Sequence, residues 1–158
     1  MASVTVLILA VGRLRAAYRE ACDDYLRRLG RYAKVEEVEV REASRAPTVE
    51  AQREEESQRL RARLAGGGTV VALAREGSHW TSEELARRMD GWRMAARPLA
   101  FVLGGSHGLS RTFLASASVR WSLGPLTLPH ELARVVVVEQ LYRAFTILRG
   151  EPYHKGRA

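Results

Sequence analysis

Residues 101–110, FVLGGSHGLS, run from an unbroken apolar segment onto two glycines, with a third three residues later. Three apolar residues in a row suit a strand buried on both faces, and glycines at its end suit a sharp exit. Either the turn needs backbone angles that only glycine adopts freely, or something approaches the backbone closely. Working outward, the same punctuation recurs. GGGTVVALAREG (66–77) is a triple-glycine turn into a buried strand closed by Gly77, and VRWSLG (119–124) is a shorter strand ending on glycine. SVTVLILAVG (3–12) reads as the first strand and KVEEVEV (34–40), which alternates, as the second.

Helical patterns separate these strands. AAYREACDDYLRRLGRY (16–32) puts Tyr18, Cys22, Tyr25, Leu26 and Leu29 on one face. Residues 48–65 form a very polar helix, with Val49, Leu60 and Leu64 as its anchors, expected at an edge of the domain. Thr81 and Glu84 make a capping box for the helix at 82–96, a short helix covers 111–117, and the longest spans 131–148. Strands alternating with helices predict parallel strands covered on both faces, in a single α/β domain over residues 1–158. The last helix is apolar nearly all round, from Val135 to Leu148. That pattern fits either a central core helix or a subunit interface.

Composition narrows the setting. The chain has 158 residues, 46% hydrophobic and 27% charged, ordinary for a globular protein. Its single cysteine, Cys22, allows no disulfide framework within one chain and fits a reducing, cytoplasmic setting; it reads as a packed thiol. The N-terminal apolar run is too short to span a bilayer and lacks the basic flank of a signal peptide. The net charge is +7, carried almost entirely by arginine, and favours a polyanionic partner, nucleic acid ahead of membrane.

Ligands of open α/β sheets bind beyond the carboxyl ends of the strands. Three such ends stand out: Arg75-Glu76-Gly77, Gly104 to Gly108, and Gly124 to His130 with its two prolines. Leu73, Leu123, Leu126 and Leu128 could form a slot for a flat ring. GGSHG is neither a dinucleotide fingerprint nor a phosphate loop, and it lacks the G-x-S-x-G elbow of a hydrolase. The four histidines show no metal-ligand spacing, so no metal is expected. In the tail GEPYHKGRA (150–158), an aromatic ring stands among cationic groups, which is how proteins hold looped RNA; such a terminus frays unless something orders it.

Three segments together carry a resemblance. LILAVGRL (7–14), FVLGGSHGLS (101–110) and WSLGPLTLPHELARVVVVEQLYRAFTILRGEPYHK (121–155) resemble the RlmH-type rRNA methyltransferases of the SPOUT superfamily. The resemblance covers nearly the whole chain and is most specific over its last forty or so residues. It implies a mostly parallel sheet flanked by helices, with the C-terminal segment threaded into a trefoil knot, a rare exception to the rule against threading. It implies a homodimer that binds S-adenosylmethionine in the knotted region. Leu73, Gly104, Leu123, Gly124, Pro125, Leu126, Thr127 and Leu128 would line the cofactor pocket, with Gly105 adjoining it. The implied substrate is a pseudouridine in the helix 69 loop of 23S rRNA, methylated at N3 on the assembled 70S ribosome.

An imide nitrogen must lose its proton before it attacks a methyl group, which calls for a base or a cationic neighbour. Tyr153, His154, His130 and Arg143 are the candidates, with Lys155 and Arg157 as phosphate contacts. His130 and Arg143 could instead be structural, as a helix cap and a carboxylate partner. Gly124-Pro125 is stiffer than the polar pair associated with this position in the family. The rival readings are a non-catalytic RNA-binding protein on the same fold and a methyltransferase acting on tRNA.

Overall fold

The structure is a computed structural model that describes residues 4–155. The strands are β1 (Thr5–Val11), β2 (Lys34–Val40), β3 (Thr69–His79), β4 (Leu99–Leu103) and β5 (Val119–Ser122). The helices are α1 (Ala16–Leu29), α2 (Val49–Arg61), α3 (Ser82–Ala95), α4 (Arg111–Ser116) and α5 (His130–Leu148). All neighbouring strands pair in parallel, in the order β2-β1-β4-β3-β5. The expected α/β architecture is therefore present, and the sequence patterns sort by position in the sheet. β4 lies at the centre and is buried at all five residues, whereas the alternating β2 is an edge strand.

Alternate residues of each strand feed two apolar layers. Val6, Ile8, Val71, Leu99, Phe101 and Leu103 face a core built with α1, α3 and α5. Leu9, Val11, Ala72, Ala100 and Val102 face a smaller one that takes in Leu60 of α2 and Phe113 of α4. Each fully buried aliphatic side chain contributes about 1.5–3 kcal/mol, so the larger layer dominates stability.

α5 packs between α1 and α3, and none of its residues is exposed. Val137, Val138, Leu141 and Phe145 are buried as in a central core helix, while Val135, Val136, Ile147 and Leu148 are half-buried. The face expected for α1 is also realised: Cys22 and Leu29 are buried, and Tyr18, Tyr25 and Leu26 pack partly buried against the larger core.

Two local expectations fail. β3 does not close at Gly77. Its register with β5 shifts between Leu73 and Ser78, both paired with Trp121, and the strand resumes to His79. Gly77 is required there because a Cβ would lie 2.7 Å from backbone atoms of Arg120 and Trp121. In α2, Val49 is not an anchor but 43% exposed, while Glu56 and Ser57 are buried beside Leu60. The reason is hydrogen bonding. Glu56 Oε2 accepts from the Ala43 amide at 3.0 Å, and Ser57 Oγ accepts from the Ser110 amide at 3.0 Å. The polar helix therefore fastens the loop after β2 and the glycine loop, rather than lying at an edge.

Candidate active site

The carboxyl ends of β4 and β5 and the irregular stretch of β3 at residues 73–76 open into one cleft of about 450 Å³, within the usual range for small-molecule sites. Leu73, Gly104, Gly105, Leu123, Gly124, Leu126, Thr127 and Leu128 all line it, as does His130 at the start of α5. Pro125 is exposed and is not among the lining residues. The loop is shaped locally. Gly124 adopts φ +115°, and Ser122 Oγ accepts from the Gly124 amide at 3.1 Å. Leu126 is 80% exposed, an apolar side chain standing at the mouth of the cleft.

The glycine turn answers the question its sequence raises. A Cβ on Gly104 would overlap the backbone of Gly108, with the Gly108 Cα at 2.8 Å. A Cβ on Gly105 would press on Val11 Cγ1 and Glu56 Oε1, at 3.1 and 3.2 Å. Gly108 adopts φ +78°, and its amide donates to the Gly105 carbonyl at 3.0 Å. Both glycines are thus needed by the turn and its packing, and that tight turn forms one wall of the cleft.

The remaining catalytic candidates gather elsewhere. Arg143 pairs with Glu139 at 2.7 Å, and Tyr153 donates to the same Glu139 oxygen at 2.7 Å. Tyr153 also packs edge-on against Tyr142, and the Arg143 guanidinium lies over its ring. His154 bridges Arg143, at 3.0 Å from Nδ1, and Glu83 on α3, at 3.0 Å from Nε2. Guanidinium groups only donate, so Nδ1 accepts and Nε2 carries the proton toward Glu83. None of these three candidates lines the cleft. Residues 130 and 143 stand about 20 Å apart along a helix axis, so in one chain only His130 reaches the cleft. The tail through Lys155 is ordered by its own chain rather than frayed, with Lys155 exposed; Arg157 lies outside the described residues.

A parallel sheet whose strand ends and final helix frame such a cleft is matched from end to end. The family model "Predicted SPOUT methyltransferase" covers residues 4–154. The chain belongs to the SPOUT methyltransferase family. A relative from Rubrobacter xylanophilus, named ribosomal RNA large subunit methyltransferase H, is 54% identical over 152 residues, covering 93% of this chain and 96% of the relative. One of the same name from Anaeromyxobacter sp. is 49% identical over 149 residues, covering 94% and 97%. Among solved structures, a probable methyltransferase from Bordetella pertussis Tohama I superposes with a TM-score of 0.55 at 19% identity, covering 89% and 96% of the two chains. That likeness concerns the fold alone.

In this SPOUT methyltransferase the charged groups divide by position. Burial, with the bond to Glu139 second, holds the Tyr153 phenol well above its ordinary range, so Tyr153 stays protonated as a donor. The hydrogen bond from His154 holds Glu83 below the usual carboxylate range. The cleft itself is basic: Arg53, Arg75 and Arg111 line it, with Glu76 as the acid. Arg53 and Arg111 were missed by sequence reasoning. They sit on α2 and α4, far along the chain from the strand ends, and nothing local marks them. Among the described residues, no group of three or more His, Cys, Asp or Glu is placed to hold a metal, and no helix is long and apolar enough to cross a membrane.

Proposed function

We propose that this chain is an rRNA methyltransferase that moves a methyl group from S-adenosylmethionine to N3 of a pseudouridine in the helix 69 loop of 23S rRNA. It works as a cytoplasmic homodimer on assembled 70S ribosomes, one domain carrying both the knot and the site. The observation that carries the reading is the leucine-lined cleft beside the glycine turn, in a chain whose relatives are named for large-subunit rRNA methylation.

The residues present fit the cofactor. Leu73, Leu123 and Leu128 suit an adenine ring, the glycine turn and the loop at 123–128 offer main-chain groups at close range, and the basic wall suits an acidic end. When bound, S-adenosylmethionine supplies an electrophilic methyl carbon on a sulfonium that departs as a neutral thioether. The chain's own residues have three tasks: to align the nucleobase, to exclude water and to remove the imide proton. His130 is the group placed to act from within the cleft. Tyr153 and His154 of the tail, clustered with Arg143 of α5, act on the cleft of a second copy, with Lys155 and Arg157 on the RNA backbone. Arg143, held by Glu139, supports the developing imide anion as a fixed cation.

Labelled S-adenosylmethionine offered with assembled ribosomes, isolated large subunits and bulk tRNA, all lacking the modification, tests the reading. Label on a helix 69 pseudouridine, strongest with assembled ribosomes, is the expected result. Label on tRNA overturns the substrate. No label with cofactor binding intact overturns methyl transfer in favour of a binding-only protein.

A further inference from the structure

Arg53 is out of keeping with the other arginines of the cleft. Arg75 and Arg111 are exposed at its rim, where water satisfies them. Arg53 is half-buried, and its Nε is shut off from solvent with no hydrogen-bond partner. A guanidinium donor removed from water and left unpaired costs free energy that folding alone does not recover. Glu56 on its own helix does not neutralise it, although its Oε1 is likewise buried without a partner. Glu56, one turn on, commits Oε2 to the Ala43 amide and to Gln52 Nε2 at 3.1 Å, and makes no ion pair with Arg53 among the described residues. Nor does Glu76, the acid on the cleft, pair with it. α2 therefore holds against the cleft wall a cation that makes no ion pair among the described residues.

The occupant's chemistry follows from the lining of the cleft. Leucines suited to a flat ring share it with arginines and with the backbone of the glycine turn. A ligand that uses both kinds of lining carries an apolar ring and a small anion. We infer that Arg53 is a binding residue for the α-carboxylate of the cofactor's amino-acid end. This rests on the reading of the cleft as an S-adenosylmethionine site, and it assigns a separate role to the rim: Arg75 and Arg111 face RNA phosphates, while Arg53 faces the small molecule. The guanidinium fork suits a carboxylate, which it can meet with two parallel hydrogen bonds.

Two stable nucleosides test this. S-Adenosylhomocysteine has the amino-acid end and 5′-methylthioadenosine lacks it, while the adenosine and thioether are shared. Calorimetric titration of the full chain and of Arg53→Met with each gives a cycle in which the second nucleoside also reports an intact cleft. The full chain is expected to prefer S-adenosylhomocysteine. Arg53→Met is expected to lose about tenfold to a hundredfold of that affinity, as for a charge-assisted hydrogen bond, with 5′-methylthioadenosine affinity unchanged. Equal weakening of both ligands, or of neither, overturns the assignment, as does the same selective loss in Arg111→Ala instead. If the unaltered chain binds neither nucleoside, the reading of the cleft falls and takes this inference with it; a failure confined to the variant leaves that reading standing.

Discussion

At residue Gly104 the absent side chain has a measurable consequence. The Gly108 backbone occupies the volume a Cβ would need, and backbone cannot rotate away as the end of a side chain can. Gly104→Ala is therefore expected to lower the unfolding free energy by about 1–3 kcal/mol, the usual cost of overpacking. Urea unfolding followed by tryptophan fluorescence reads this directly, and Trp121, packed on Phe101 beneath the cleft, is a suitable reporter. Unchanged stability would mean that the loop at 105–108 yields without cost.

Among the elements, α5 is fastened by charge as well as by apolar packing. Arg134 is 2% exposed at its side chain and pairs with Glu37 at 3.1 Å and with Glu39, both on β2. It also donates to the Gly12 carbonyl at 3.0 Å, where β1 ends. Arg19 of α1 meets the same two carboxylates, but its side chain is 30% exposed. Burial decides how much each arginine matters. Arg134→Ala leaves partly buried carboxylates under-compensated and is expected to cost about 3–5 kcal/mol. Arg19→Ala, screened by water, is expected to cost about 1 kcal/mol or less. Denaturant midpoints of the two variants check the order; equal losses would show that the network, and not the burial of Arg134, sets the energy.

For the whole molecule, the distance between the cleft and the tail cluster matters most. His130 lines the cleft, while Tyr153 and His154 are held on α5 and α3 by Glu139 and Glu83. A dimer in which each tail serves the other cleft makes a specific demand on mixtures. Chains lacking residues 153–158 and chains carrying Leu73→Trp in the cleft are each expected to be inactive. Refolded together they are expected to regain a substantial fraction of turnover, because a mixed dimer has one intact cleft facing one intact tail. Methyl transfer to ribosomes measures this, and no recovery in a confirmed mixed dimer would confine the tail's role to its own chain.

Much of this was legible in the chain itself. Hydrophobic period fixed the type and order of the elements, since burial on one face or two leaves its mark on neighbouring residues. The glycine and proline punctuation located the ends of β4 and β5 but not that of β3, which runs on to His79, and eight of the nine cofactor residues expected from the family line the cleft, Pro125 being the exception. Other features could not be read that way. The burial of Glu56 and Ser57 depends on amides at Ala43 and Ser110 that only the folded chain brings to them. The register shift in β3 depends on the close approach of β5 to Gly77. Arg53 looks like any solvated helix arginine until α2 is laid beside the glycine turn. Local sequence thus determined which segments become strands and helices and which family they form. Tertiary structure alone decided which polar groups meet, because a polar side chain's partner lies across the fold and leaves no periodic trace in its neighbours.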